Sequence, residues 1–249
     1  MQIGILQTGK INMRIRDRFG NYPDMFQDLL NDKHYPAELA SVKFTVFDVT
    51  EGVLPDRPEA CDVYIITGSS AGVYEEHSWL NPLFDFLRQC AEMQIKLVGI
   101  CFGHQAIAKA LGGEVVKFSG GWGVGNRMSA LTDIPALNAA TGRQITQTQI
   151  TLPYFHQDQV ISLPAGAQLT VADDFCAIAG FVIGKHVLCF QGHPEFNADY
   201  LKALIEVRRE SLGEDNTQHA LSTVNGGNDR HLVGQWIADF CVNNQPNGN

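Results

Sequence analysis

One stretch limits what this chain can fold into more than any other: Lys96 to Gly113, KLVGICFGHQAIAKALGG. Leu97, Val98, Gly99 and Ile100 make an apolar run of strand length, and Cys101 follows it directly. From Gln105 to Leu111 the composition favours helix, with Ile107, Ala108 and Leu111 at helical spacing and Gly112-Gly113 as the stop signal. Cys101 is therefore expected on a strand-to-helix turn. Gly99 and Gly103 bracket it as G-x-C-x-G, the thiol counterpart of the G-x-S-x-G elbow, in which small flanks let a sharply turned backbone present a nucleophile above a sheet. A helix N-terminus also offers unpaired N–H groups and partial positive charge, which favour a thiolate. The plainer alternative is a buried cysteine at an ordinary corner, and the two glycines and the motifs below weigh against it.

Other segments place this unit in an alternating series. Gln2 to Leu6 reads as a first strand, leading to a loop at Gln7, Thr8 and Gly9. Asn12 to Tyr22, with Arg14, Arg16 and Arg18, reads as a solvated loop, and Pro23 opens a helix that buries Met25, Phe26, Leu29 and Leu30. Val42 to Val49 and Val63 to Thr67 read as strands, the latter ending in the small-residue loop Gly68-Ser69-Ser70-Ala71-Gly72. Asn81 and Pro82 start a further helix before the cysteine strand. Such alternation predicts parallel βαβ units with ligands beyond the carboxyl ends of the strands, where Gly68 and Cys101 both fall.

From Glu114 the pattern changes to short strands (115–118, 124–131, 149–154, 168–172, 175–183 and 187–190) with few helical stretches, predicting an antiparallel extension of the sheet. Gly120 to Gly125 resembles a dinucleotide fingerprint only superficially, since neither a helix pattern nor a suitably placed acidic residue follows. The last short strand runs into Gln191-Gly192-His193-Pro194-Glu195, where His193 and Glu195 can face the same side, an imidazole beside a carboxylate able to orient it. Helices are expected over 199–209 and 231–242, a mobile or short-helix insertion over 214–228, and a disordered tail over 243–249.

With 249 residues, 45% of them hydrophobic, the chain can bury a substantial core, and one α/β domain over 1–242 is expected. A formal charge of −9 without any basic run argues against nucleic acid or an anionic membrane as partner. Six scattered cysteines form no C-x-x-C pair, so neither a metal nor another cofactor is expected, and a reducing cytoplasm fits. No signal peptide or membrane span is legible.

Taken together, TGSSAGVY, GICFGHQAIAKALGG and CFQGHPE resemble, in order, the motifs of the class I (triad) glutamine amidotransferases, and FHQDQVISLPAG resembles the family's His-x-Asp-x-Val segment. The stand-alone relatives of the GMP synthetase amidotransferase domain, plant γ-glutamyl peptidases among them, look closest, on Cys101 to Gln105, Gly121 to Gly125 and His156-Gln157-Asp158. The resemblance implies a three-layer flavodoxin-like fold with a mostly parallel central sheet. It implies Cys101 as nucleophile, His193 as acid and base, Glu195 as the group orienting it, and backbone N–H groups of Gly68 and Phe102 as oxyanion donors. Gln105, Ser69 and Trp122 would contact a glutamine or γ-glutamyl substrate, and His156 would be a supporting polar group or structural. Where many members carry Gly-Gly-Pro at the oxyanion turn, this chain has Thr67-Gly68-Ser69. The activity implied is glutamine hydrolysis through a glutamyl thioester, feeding ammonia to a separate synthetase subunit because the remaining ~40 residues are too few for a synthetase domain. A stand-alone γ-glutamyl hydrolase is the alternative, and a non-enzymatic binding role the third.

Overall fold

The early strands carry apolar side chains on both faces, and a sheet made from them is stable only when helices cover both sides. Ile3 and Ile5 point to one face and Leu6 to the other, while Val63 and Ile65 alternate with Tyr64 and Ile66, all of them buried. The computed structural model, which describes residues 1–31, 35, 36, 39 and 41–243, meets that requirement. In chain order its elements are β1 (Gln2–Gln7), α1 (Met13–Phe19), α2 (Tyr22–Leu30), β2 (Lys43–Asp48), β3 (Val63–Ile66), α3 (Leu80–Glu92), β4 (Lys96–Ile100), α4 (Phe102–Ala110), β5 (Glu114–Lys117) and β6 (Gly123–Leu131). There follow α5 (Ile134–Thr141), β7 (Gln149–His156), β8 (Asp158–Ser162), β9 (Ala167–Ala172), β10 (Gly180–Ile183), β11 (Val187–Phe190), α6 (Ala198–Val207), α7 (Arg209–Leu212), α8 (Glu214–Val224) and α9 (Arg230–Val242).

Nine strands form one sheet in the order β2-β1-β3-β4-β11-β10-β9-β6-β7. The run from β2 to β11 is parallel throughout, and the rest is antiparallel. On one face Phe26, Leu137, Trp236 and Phe240, from α2, α5 and α9, pack against Ile3, Ile65 and Ile100. On the other, Leu83, Leu87 and Ile107, from α3 and α4, cover Leu6, Ile66 and Leu97. The expected three layers and mostly parallel sheet with an antiparallel extension are thus present. In-register parallel pairing places Leu6 beside Ile66, Ile66 beside Gly99 and Phe190 beside Ile100, so the chain leaves β1, β3, β4 and β11 at one edge.

The differences from the sequence reading have physical reasons. Residues 13–19 form a helix instead of a solvated loop because the Asn12 side chain accepts from the Arg14 N–H as a cap, yet α1 buries no side chain and so leaves no apolar period. Helix α5 went unread although Asp133 caps it and Gly142, at φ 73°, closes it. Strand β11, expected in the antiparallel part, lies parallel to β4, because strand direction depends on partners and not on the strand's own residues. Strand β5 pairs with the unread β8 in a separate two-stranded sheet. The strand expected from Phe175 begins only at Gly180, since the Asp173 carboxylate accepts from the N–H groups of Phe175 and Cys176 and turns the chain there. The helix expected over 199–209 breaks at Arg208 into α6 and α7. Of the expected tail, Asn243 caps α9, and residues 244–249 lie outside the described residues.

The segment 214–228, expected as a mobile or short-helix insertion, contains the 11-residue helix α8, which packs Thr217, Ala220 and Val224 inward. Asn126 on β6 holds it: its backbone N–H donates to Thr223 Oγ1 (2.8 Å), and its side-chain amide donates to the carbonyls of Thr223 and Gly226 (3.1 Å each). Replacing Asn126 by Ala is expected to cost about 1–2 kcal/mol and to speed limited proteolysis within 214–228. An unchanged cleavage rate and denaturation midpoint would contradict this tether.

Candidate active site

At the end of β4 the backbone must reverse into α4 within a single residue. Cys101 makes that turn at φ 53° and ψ −103°, a region that costs a side-chain-bearing residue roughly 1–3 kcal/mol. Its neighbours show why the flanks are glycine. A Cβ on Gly99 would stand 2.7 Å from the Gly103 carbonyl, and one on Gly103 would stand 2.2 Å from the Ile66 carbonyl oxygen. The Cys101 N–H donates to Phe190 O (2.9 Å) and its carbonyl accepts from Gln105 N (3.1 Å), so the elbow is tied to β11 on one side and to its own helix on the other.

That tie to β11 brings the His193 turn alongside. His193 N donates to Pro153 O (2.8 Å), and His193 Nδ1 lies 2.7 Å from Glu195 Oε1, with both residues only 2% exposed. Nδ1 is held by the carboxylate, and the imidazole also feels the Cys101 side chain, which helps keep it protonated. Gly68, at the end of β3, packs on the same ring: a Cβ there would come 3.1 Å from His193 Cε1 and 4.0 Å from Cys101 Cβ. The turn carrying Gly68 is fixed from β1, since Thr8 N donates to Thr67 Oγ1 (3.1 Å) and Thr8 Oγ1 donates to Thr67 O (2.9 Å). Phe102 is the first residue of α4, so its N–H precedes the helix's own hydrogen-bond ladder. The far face of the imidazole stacks on Phe196, with centroids 3.9 Å apart and planes 7° apart, and Tyr22 stacks beyond it at 6.2 Å.

Charge at the site follows from this packing. Burial pushes the His193 imidazolium toward deprotonation, but Glu195 and the Cys101 sulfur outweigh it and raise its pKa to about 10. By contrast burial pushes up the thiols of Cys61, Cys90, Cys176, Cys189 and Cys241, with Cys90, Cys176 and Cys241 reaching about 12. Burial likewise lowers His156 to about 4. His156 Nδ1 pairs with the Asp158 carbonyl (2.9 Å), so it fixes the turn between β7 and β8.

Cys101 opens on a cavity of about 240 Å³ that is also lined by Ser69, Gln105 and Trp122, the three side chains expected to meet substrate. Gly68, Phe102, His193 and Glu195 stand behind the lining. Gln105 Nε2 donates to Asp158 O (2.9 Å) and to Gln191 Oε1 (3.0 Å), which leaves its oxygen as the group able to accept from a ligand. Ser69 Oγ accepts from Ala71 N (3.1 Å), and Trp122 packs on Phe155.

Several lining groups escaped the sequence reading. The Asp158 carboxylate accepts from Tyr74 OH (2.9 Å), and burial holds its pKa up. Glu75, Lys117 and Arg208 add further charges. Only Asp158 had a signal, the His-Gln-Asp spacing; the others are brought in by loops and by the β5–β8 pairing. Among the described residues no three His, Cys, Asp or Glu side chains are grouped as a metal site needs.

The glycine at 103 has a testable role. Gly103→Ala forces the elbow helix off Ile66 and is expected to cost about 1–3 kcal/mol, in line with overpacked cores, while displacing the Cys101 sulfur from His193. Equal thermal stability and equal Cys101 alkylation in the variant would contradict the contact.

The family model for glutamine amidotransferase class-I matches residues 33–205. A glutamine amidotransferase-like protein of Schizosaccharomyces pombe is 29% identical over 251 residues, covering 96% of this chain and 98% of its own length. Gamma-glutamyl peptidase 4 of Arabidopsis thaliana is 30% identical over 192 residues, covering 76% of this chain and 73% of its own. The crystal structure of a glutamine amidotransferase from Thermotoga maritima shares the fold with a TM-score of 0.71 at 20% identity, covering 96% of each chain. With a family model matching residues 33–205 and a relative 30% identical over 76% of its length, this chain belongs to the class-I glutamine amidotransferase family.

Proposed function

We propose that this protein hydrolyses the γ-glutamyl amide bond, with Cys101 as nucleophile, His193 as acid and base and Glu195 as the group that holds the imidazole. The observation that carries this reading is the buried His193, bonded to Glu195 at 2.7 Å and packed beside Cys101 around Gly68, whose Cβ would come 3.1 Å from the ring and 4.0 Å from Cys101 Cβ. The thiolate attacks the δ-carbonyl, and the N–H groups of Phe102 and Gly68 take the developing oxyanion charge. The C–N bond then breaks as His193 passes its proton to the departing nitrogen, leaving a glutamyl thioester on Cys101. Once the sulfur is acylated its charge no longer supports the imidazolium, so the His193 pKa falls. The same ring can then take a proton from the water that releases glutamate.

Two leaving groups fit this chemistry. If ammonia leaves, the chain is the glutaminase half of an amidotransferase with a separate synthetase subunit. If a larger amine leaves, it acts alone on γ-glutamyl conjugates. The second reading draws support from the relatives named gamma-glutamyl peptidases and from a cavity that extends past Cys101 to Trp122, Phe155 and Arg208. Because the nucleophile must remain a thiol, and all six cysteines are free and buried, a reducing compartment such as the cytoplasm suits it. Among the described residues no helix is long and apolar enough to cross a membrane.

Glutamate release from glutamine and from γ-glutamyl dipeptides is the direct assay. Cys101→Ala should abolish it, and His193→Ala should lower it by about 10²–10⁴-fold. Glutamate release undiminished in Cys101→Ala would end the proposal.

The pH dependence has a definite sign. The His193 pKa is raised in the folded protein, so the proton donor is present through neutral pH and is lost as pH rises through about 10. The acylation rate should therefore hold across pH 7 to 9 and fall above. A fall already centred near the free imidazole value of about 6.5 would contradict the charge arrangement.

A further inference from the structure

We infer that Arg208 selects substrates whose departing amine carries a carboxylate, making the natural substrates γ-glutamyl amino acids or peptides instead of glutamine. This rests on the nucleophilic reading of Cys101 above and adds which amine leaves.

Charges in the cavity fall into two sets. Asp158, Glu75 and Lys117 are neighbours: β5 and β8 place Lys117 opposite Asp158, and the Asp158 carboxyl feels both Lys117 and Glu75. With the free oxygen of Gln105 they match a zwitterionic α-amino-acid end, the acids and the amide oxygen for its ammonium and the lysine for its carboxylate. Arg208 comes from elsewhere. It sits at the break between α6 and α7, on the helix that follows the His193–Glu195 turn, and its charge is felt by the phenols of Tyr22 and Tyr200, which also feel Glu195. It lines the same cavity as Cys101, Trp122 and Phe155, from the helix break that follows the His193–Glu195 turn and not from the β5–β8 pair.

The guanidinium there is uncommitted. Its neighbour Arg209 is bound to Glu206 and Glu214 at 2.8 and 2.7 Å, and Arg18 faces Asp199, whereas the Arg208 side chain has no hydrogen-bond or acidic partner among the described residues. In a chain with formal charge −9, a half-buried arginine lining a cavity without an acid beside it is arranged for an anion from outside. Ammonia offers none. An amine bearing a carboxylate does, and Trp122 and Phe155 supply an apolar wall for the carbon between them.

An isosteric pair tests this: γ-glutamylglycine, whose leaving amine ends in a carboxylate, and γ-glutamylglycinamide, whose does not. The wild-type protein should show kcat/KM for the first above that for the second by about tenfold or more, the range for one charge-assisted hydrogen bond. Arg208→Gln should collapse that ratio toward unity, Arg208→Lys should keep part of it, and Lys117→Gln should change both substrates together and leave the ratio standing. High salt should compress the wild-type ratio. A wild-type ratio near one, a ratio untouched by Arg208→Gln, or a ratio lost in Lys117→Gln instead would each overturn the inference. Cys101-dependent release from glutamine with none from either dipeptide would also overturn it and leave the nucleophilic reading intact. No Cys101-dependent release from any of the three would remove both.

Discussion

The backbone of Cys101, held at φ 53° and ψ −103°, is the constraint from which the rest of the site follows. A conformation this unfavourable persists only when its surroundings leave no alternative. Here β4 is buried between β3 and β11, Gly99 and Gly103 let α4 close onto Ile66, and Phe190 accepts the Cys101 N–H. Each of these contacts depends on the parallel order of the sheet. The sheet in turn is stable because its inner strands alternate apolar side chains toward two helical layers. A turn that is costly locally is thus held by packing that is extensive globally.

The same sheet order gathers the site's chemistry. Cys101 and His193 are distant in sequence, yet β4 and β11 are adjacent and in register, so whatever follows Phe190 must pass the elbow. The buried imidazole is then confined by Glu195 on Nδ1, Gly68 at its edge and Phe196 on its face, with Cys101 close enough to raise its pKa. Burial alone would neutralise it, and the two acidic neighbours reverse that outcome. Stacking on Phe196 fixes the ring plane without a polar contact that would compete for its nitrogens.

How much of this could be read from the sequence depended on whether the signal was local. The elbow, the histidine turn and the early strands announce themselves through runs of adjacent residues, and each was found where expected. Helix α8 was legible only as one of two alternatives, a mobile or a short-helix insertion, because its buried face uses Thr217 and Ala220, which carry little apolar signal, and because Asn126, its tether, lies on a distant strand. Strand β8 is half polar, and its pairing with β5 is a tertiary fact. Glu75 and Arg208 lie outside the motifs, in a loop and at a helix break, and Tyr74 closes the TGSSAGVY motif without a spacing that assigns it a role, so the signals that revealed Cys101 and His193 could not reveal them. Tyr22, behind Phe196, opens α2 from within the stretch 12–22 read as a solvated loop.

The central claim is that one sulfur among six is presented to a γ-glutamyl carbonyl. Peptide mass mapping after brief exposure to a chloromethyl ketone analogue of glutamine tests it most directly. The account predicts a single adduct, on the peptide that contains Cys101, and its suppression by an excess of γ-glutamyl substrate. Adducts spread across the other five cysteines, or labelling of Cys101 that the substrate does not slow, would contradict it.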